Sequence, residues 1–296
     1  MANTITAISR EIWSSLINTI LNEKSIAPGL FSKKYEGEAR QGKTVHIPSP
    51  EAVTVGTYTP GSDISIQNIT PTKVDLTIDQ FKYYAFGVDD VQELLVNPKM
   101  AALQVPQAMA NLGENIDAAL FAYLYANAGL QVDGSDAATA GAGGAGIVLT
   151  EVTPTTTSEM MPGQVLAKTA QKLTTAKVPM DGRYFVMSPI FLEKLIVSKL
   201  ISDTAHIGIS SSALQSGTVA KLYGFDLFVS SQLTKASSKR HCVAGSLRGA
   251  AFAGVSEQRD VVKRELQFGN IVKGLYVYGR IVTQANALVE VIIAEA

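Results

Sequence analysis

Residues Gly37-Glu38-Ala39-Arg40-Gln41-Gly42-Lys43-Thr44 match the pattern G-x-x-x-x-G-K-[ST] at every fixed position. In a phosphate-binding loop, backbone amides would cradle a nucleotide, Lys43 would neutralise its phosphates and the Thr44 hydroxyl would hold magnesium. That chemistry needs a buried apolar strand before the loop and a helix after it, whose N-terminus faces the phosphates. Ser32-Lys33-Lys34-Tyr35-Glu36 is too polar for such a strand, and Val45-His46-Ile47-Pro48-Ser49-Pro50 combines two prolines with strand-like alternation. At average residue frequencies, a chance match arises in on the order of one chain in a hundred of this length. The segment reads as a polar turn entering a strand, and a nucleotide-binding enzyme is kept only as a remote alternative.

The remaining reactive side chains form no constellation. His46, His206 and His241 lie in separate segments, and His46 on an alternating strand is expected to be paired or exposed. His241 and Cys242 are adjacent on a strand, so their side chains point to opposite faces and cannot act as base and nucleophile. Cys242 is the only cysteine, which rules out an intrachain disulfide or a thiolate metal cluster. It is expected to be a small buried residue. Asp89-Asp90 reads as a helix N-terminus and Asp133-Gly134-Ser135-Asp136 as a turn, because neither continues into a calcium loop. Gly141–Gly146 lacks the helix and acidic partner of a dinucleotide fingerprint. The expectation is a protein with no catalytic residues, no metal and no cofactor.

Composition points to covered surface. Charged residues are only 17% of the 296, against 46% hydrophobic, whereas an average soluble domain carries about 25% charged residues. A lone subunit with so few charges is short of solubilising exterior, so neighbours are expected to cover part of it. The formal net charge of −1 is not that of a basic nucleic-acid reader. No apolar run is long enough to cross a bilayer and the N-terminus is not a signal peptide, so a soluble, cytosolic chain without a membrane partner is expected.

The elements that would carry any site follow from periodicity. Ile8, Ile12, Trp13, Leu16, Ile17, Ile20 and Leu21 recur at helical spacing, and Pro28-Gly29 ends that helix. Period-two alternation then takes over in Val45/Ile47, Val53/Val55, Ile64/Ile66 and Val74/Leu76/Ile78, with turn chemistry at Thr59-Pro60-Gly61-Ser62-Asp63. This predicts a two-stranded arm over 44–84, with each side roughly 50 Å long at about 3.3 Å per residue. An isolated hairpin is marginal in water, so another subunit is expected to support it. Val105, Met109, Leu112, Ile116, Leu120 and Leu124 form one apolar stripe, which predicts a helix over 98–128. Pro106 threatens a kink there, and Gly129 is a candidate C-cap. Ala137–Gly146 and 202–217 read as loops, 162–177 and 190–200 as helices, and the rest from Tyr184 onward as strands. The fold class is α+β.

This order of elements resembles the tailed-bacteriophage major capsid protein family, the Hong Kong 97-like capsid fold shared with encapsulins. The likeness rests on Tyr35-Glu36-Gly37-Glu38 with Gly42–Pro48, on Asp75–Gln80 with Lys82–Asp90, and on Gly279–Val291. It implies an N-arm and loop entry over 1–43, and an extended β-hairpin E-loop over 44–84. A peripheral (P) domain would span 85–149 and 266–285, with its spine helix at about 98–128. An axial (A) domain would span 150–265 and 286–296. Val53, Val55, Tyr58, Ile64 and Ile66 of the E-loop would contact neighbouring subunits. The resemblance further implies hexamers and pentamers of an icosahedral virion shell assembled in host cytoplasm. Its partners would be packaged double-stranded DNA on the inner face, a portal, a cement protein and a separate scaffolding protein, since no scaffolding segment precedes the N-arm helix. An encapsulin-like nanocompartment shell is the alternative. Some relatives close their shells with an isopeptide bond from an E-loop lysine, but no lysine occurs here between Lys43 and Lys73, so closure is expected to be non-covalent.

Overall fold

The computed structural model describes residues 23–39, 42–51, 53–61, 63–64, 66–89, 100–137, 144–151, 154, 158–198, 221–264 and 268–295. The helix expected from Ile8 to Leu21, His206, and the loop over 202–217 lie outside the described residues. In chain order, a 3-10 turn at Ala27–Leu30 leads to α1 (Glu36–Ala39), β1 (Thr44–Ser49), β2 (Thr72–Asp89) and α2 (Met100–Ala126). Next come β3 (Leu130–Val132), β4 (Val148–Leu149), β5 (Glu159–Met160), α3 (Pro162–Thr175), β6 (Arg183–Met187) and α4 (Pro189–Val197). Strands dominate the remainder: β7 (Lys221–Leu222), β8 (Phe225–Val229), β9 (Lys235–Ala236), β10 (Lys239–Ser246), β11 (Ala250–Lys263), β12 (Gly269–Val282) and β13 (Leu288–Ala294).

Two sheets organise these elements. A long antiparallel sheet has the order β1-β2-β12-β11, and a broader mixed sheet runs β3-β13-β10-β6-β8-β7, with β9 paired beside β10. Every residue of β6 is buried, as the continuous apolar run Tyr184–Met187 predicts for a central strand flanked on both edges. Ser188 then caps α4, its hydroxyl accepting from the Phe191 amide at 3.2 Å. β11 pairs with β12 from Ala250 to Lys263 and therefore belongs to the long sheet, not to the broad one with 150–249.

The α2 stripe is realised most fully at its C-terminal end. Ile116, Leu120, Phe121 and Leu124 are buried against the broad sheet's core, while Val105, Met109 and Leu112 are half-buried. The helix continues through Pro106 and forgoes one backbone hydrogen bond there. Gly129 does not serve as a left-handed cap, since it is absent from the positive-φ glycines. Its amide donates to the Ala285 carbonyl at 2.8 Å, and a Cβ would come within 2.8 Å of that backbone. The glycine permits close approach of two chain segments, which spacing along one helix does not reveal.

Carboxylates on α2 tie the incoming chain to the body. Asp117, only 2% exposed, accepts from the Ser25 hydroxyl at 2.6 Å and from the Ile26 and Ala27 amides at 2.8 and 3.4 Å. Glu114 accepts from the Glu23 amide, while the Glu23 carboxylate reaches the Ser231 amide and hydroxyl. Burial pushes the Asp117 carboxyl above its ordinary value, and the three donors pull it back. Replacing Asp117 with Ala leaves two amides at a buried turn without an acceptor. The expected loss is about 2–3 kcal/mol, read from urea unfolding midpoints of the two proteins; an unchanged midpoint would show that the anchor carries no weight.

Candidate assembly surface

Beyond Ser49 the chain leaves the sheet. β1 pairs with β2 only from Thr44↔Thr77 to Ser49↔Thr72, so the regular ladder is much shorter than the arm expected over 44–84. No described residue between Pro50 and Pro71 lies in a strand. Past Thr77, β2 changes partner and pairs with β12, so residues 78–84 at the end of that range are part of the body sheet. Two physical features explain the short ladder. Pro48 and Pro50 lack amide donors, and the arm's apolar side chains have no surface within the subunit to pack on. Side chains bridge the arm instead: the Thr54 amide donates to Gln67 Oε1 and the Thr70 amide to Glu51 Oε2, both at 3.0 Å. Gly61 turns the tip with φ of +90°.

All five residues singled out in the arm are exposed. Val55 is 94% exposed and Ile66 88%, and Val53, Tyr58 and Ile64 also stand clear of the body. Ile69 joins them. A second exposed set was missed from sequence: Phe81 and Tyr83 on β2, with Val261, Val262 and Phe268 at the far end of the long sheet. Phe81 and Tyr83 stand opposite Val277 and Leu275 and so share a face with them. Nearer the arm, Leu76 and Ile78 on β2 are buried with Val45, Ile47 and Ala39. The cover supplied by α1 and β1 stops there, leaving the distal sheet bare. Alternating aromatics were visible in the sequence, but which face lacks a lid depends on where α1 and β1 end.

The residues that could have done chemistry are placed in structural roles. α1 precedes Lys43, Thr44 opens β1, and the Lys43 carbonyl accepts from the Ile78 amide. The order is thus helix before strand, the reverse of a phosphate-binding loop. His46 Nδ1 lies 2.6 Å from Asp75 Oδ1 across the β1–β2 ladder, and this hydrogen bond helps hold the Asp75 carboxyl below its ordinary value. His241 Nδ1 lies 2.6 Å from Glu290 Oε1, with its ring stacked on Tyr125. Desolvation pushes the buried Cys242 thiol up to about 12, so it is no nucleophile near neutral pH. Asp133 and Asp136 form a capping box around a single 3-10 turn. Asp89 is the last residue of β2, and Asp90 lies outside the described residues. Among the described residues, no group of three or more His, Cys, Asp or Glu is placed to hold a metal, and no helix is long and apolar enough to cross a membrane.

No protein-family model and no curated protein sequence matches the chain. Solved structures do. A structure described as Mycobacterium phage Che8 is 25% identical, with 97% of each chain covered and a TM-score of 0.77. The capsid of cyanophage P-SCSP1u is 14% identical over 98% of this chain and 94% of that one, with a TM-score of 0.70. The mature capsid of bacteriophage PhiM1 is 14% identical over 96% and 91%, with a TM-score of 0.67. The fold is shared along essentially the whole length.

Val55 and Ile66 are almost fully exposed, so they contribute little to the stability of their own subunit. Val55→Asp with Ile66→Asp should therefore shift the unfolding free energy of the isolated chain by no more than about 0.5 kcal/mol in a denaturant titration. A larger loss would mean the arm packs on its own body.

Proposed function

We infer that this chain is a major capsid protein of the tailed-bacteriophage family, a coat subunit whose fold is completed by copies of itself in an icosahedral head shell. The observation that carries this reading is the arm: a segment of exposed β-branched and aromatic side chains on a fold shared end to end with phage capsids. A monomer designed to stay alone buries such residues or replaces them with polar ones. Here they are the means of association.

In this reading the long sheet and α2 form the P-domain, and the broad sheet forms the A-domain. β11, being part of the long sheet, goes with the former. Each subunit lays its arm across a neighbour, burying Val53, Val55, Tyr58, Ile64 and Ile66. An interface of standard size, about 1,600 Å², has a large gross hydrophobic gain at roughly 25 cal/mol per Å² of apolar area. Ordering the arm and the partner consumes much of that gain. A closed shell repeats the remainder over many equivalent contacts, so modest pairwise affinities give high collective stability. The subunit has no catalytic task. Its further partners in this reading are a separate scaffolding protein, a portal, a cement protein and the packaged double-stranded DNA, with assembly in the host cytoplasm.

Two outcomes test the reading. Deleting residues 52–67 should leave a folded core with an unchanged circular dichroism spectrum that no longer forms closed shells under negative-stain microscopy. Normal shells from that variant would remove the arm from the assembly mechanism. With no lysine between Lys43 and Lys73, mature shells boiled in detergent should run as a single monomer band, whereas a ladder of covalent oligomers would contradict non-covalent closure.

A further inference from the structure

Two adjoining depressions meet at Arg248 and Gln284, where the end of α3, the β10–β11 turn and the β12–β13 connection come together beside the root of the arm. The larger, about 540 Å³, is lined in part by Lys177, Arg248 and Asn286. The smaller includes Lys34 and Ser49. No acidic side chain lines either one. Lys34, Lys177 and Arg248 have no ion-pair or side-chain hydrogen-bond partner among the described residues. Lys172, Lys194, Lys221 and Arg240 are each paired with a carboxylate, whereas Lys33, Lys82, Lys168, Lys235 and Lys263, like the groove cations, have no ion pair among the described residues. What sets the groove apart is three cations around a lining without a carboxylate.

Lys177 is also held in an unfavourable backbone state. It follows α3 with φ of +60° while the Val178 amide closes on the Leu173 carbonyl, a helix ending at which glycine is strongly preferred. A lysine here keeps a cation at the groove's rim at a conformational cost. Three uncompensated cations around one groove raise the potential there and favour an acidic occupant.

The complementary charge is on the arm. Between Lys43 and Lys73 the chain has no lysine or arginine, and its carboxylates are Glu51 and Asp63, the latter beside the Gly61 turn at the tip. Both are exposed. Folded double, residues 50–71 extend roughly 35 Å at about 3.3 Å per residue, which is far enough to reach an adjacent subunit. We propose that the Arg248 groove is the receiving site for the arm tip of a second copy, with Lys34, Lys177 and Arg248 facing Asp63. This rests on the reading of the arm as an assembly element and adds where it lands. The apolar side chains contribute area, while the charges fix the position and direction of docking and speed encounter.

Charge exchange in the full chain tests the proposal. Arg248→Glu with Lys177→Glu should lower self-association about ten-fold or more by sedimentation velocity, with an unchanged melting temperature. Adding Asp63→Lys to that variant should restore shells. Asp63→Cys with Arg248→Cys should give disulfide-linked dimers and larger species on a non-reducing gel, which neither single variant forms. Normal assembly of the groove variant would overturn the proposal. So would a defect that the arm exchange does not rescue while deletion of 52–67 still abolishes shells, and in that case the arm docks elsewhere and the shell reading stands. Normal shells that retain less DNA would assign the groove to nucleic acid and likewise overturn it. Normal shells from the deletion variant would instead remove the arm reading on which the proposal rests.

Discussion

Strand β2 has two partners, and the hand-over between them is the constraint on which the molecule is built. Over Thr72–Thr77 it pairs with β1, the other root of the arm, and over Ile78–Asp89 it pairs with β12, the centre of the long sheet. One continuous strand thus carries the arm's root and the body's sheet in a single hydrogen-bonded register. A force on the arm is passed along the backbone to the sheet and across β12 to β11. At the hand-over the register shifts between Tyr278 and Gly279, and a Cβ on Gly279 would come within 2.6 Å of the Thr77 carbonyl. The close crossing of the two pairings is what requires a residue without a side chain.

Burial then divides the chain into a self-sufficient part and a dependent part. The broad sheet, α3, α4 and the C-terminal half of α2 share one contiguous core, in which Phe185 makes ring contacts with both Phe191 and Phe225. Even its buried guanidinium is satisfied, since Arg183 donates to the Pro179 and Val178 carbonyls and the Thr174 hydroxyl. The arm and distal sheet have no such enclosure. Their apolar residues are left exposed to water by their own chain, which is the feature the proposed assembly would use.

The low charge content fits the proposed assembly: on that reading, surface covered by neighbours gains nothing from lysine and glutamate, and each buried charge would cost desolvation. The charges that remain are used locally: Asp117 to hold the incoming chain on α2, Glu295 beneath Arg240, and His241 with Glu290 between β10 and β13. The groove around Arg248 gathers three cations beside a lining that has no carboxylate.

Local periodicity was enough to read much of this chain. The stripe from Ile116 to Leu124, the buried run Tyr184–Met187 and the Ser188 cap all follow from spacing of three to four residues, spacing of two, or one hydroxyl at a helix start. The exposure of Val53, Val55, Tyr58, Ile64 and Ile66 was legible because apolar residues without a nearby lid announce an unshielded segment, although the strand pairing expected there is not formed. Pairing partners were not legible. That β1 stops at Ser49, that β11 joins the long sheet, that Gly129 admits Ala285 and that Phe81 and Tyr83 face outward are all decided by contacts between residues far apart in sequence. Hydrogen-bond register and the reach of a covering element are properties of two segments at once, whereas hydrophobic spacing is a property of one.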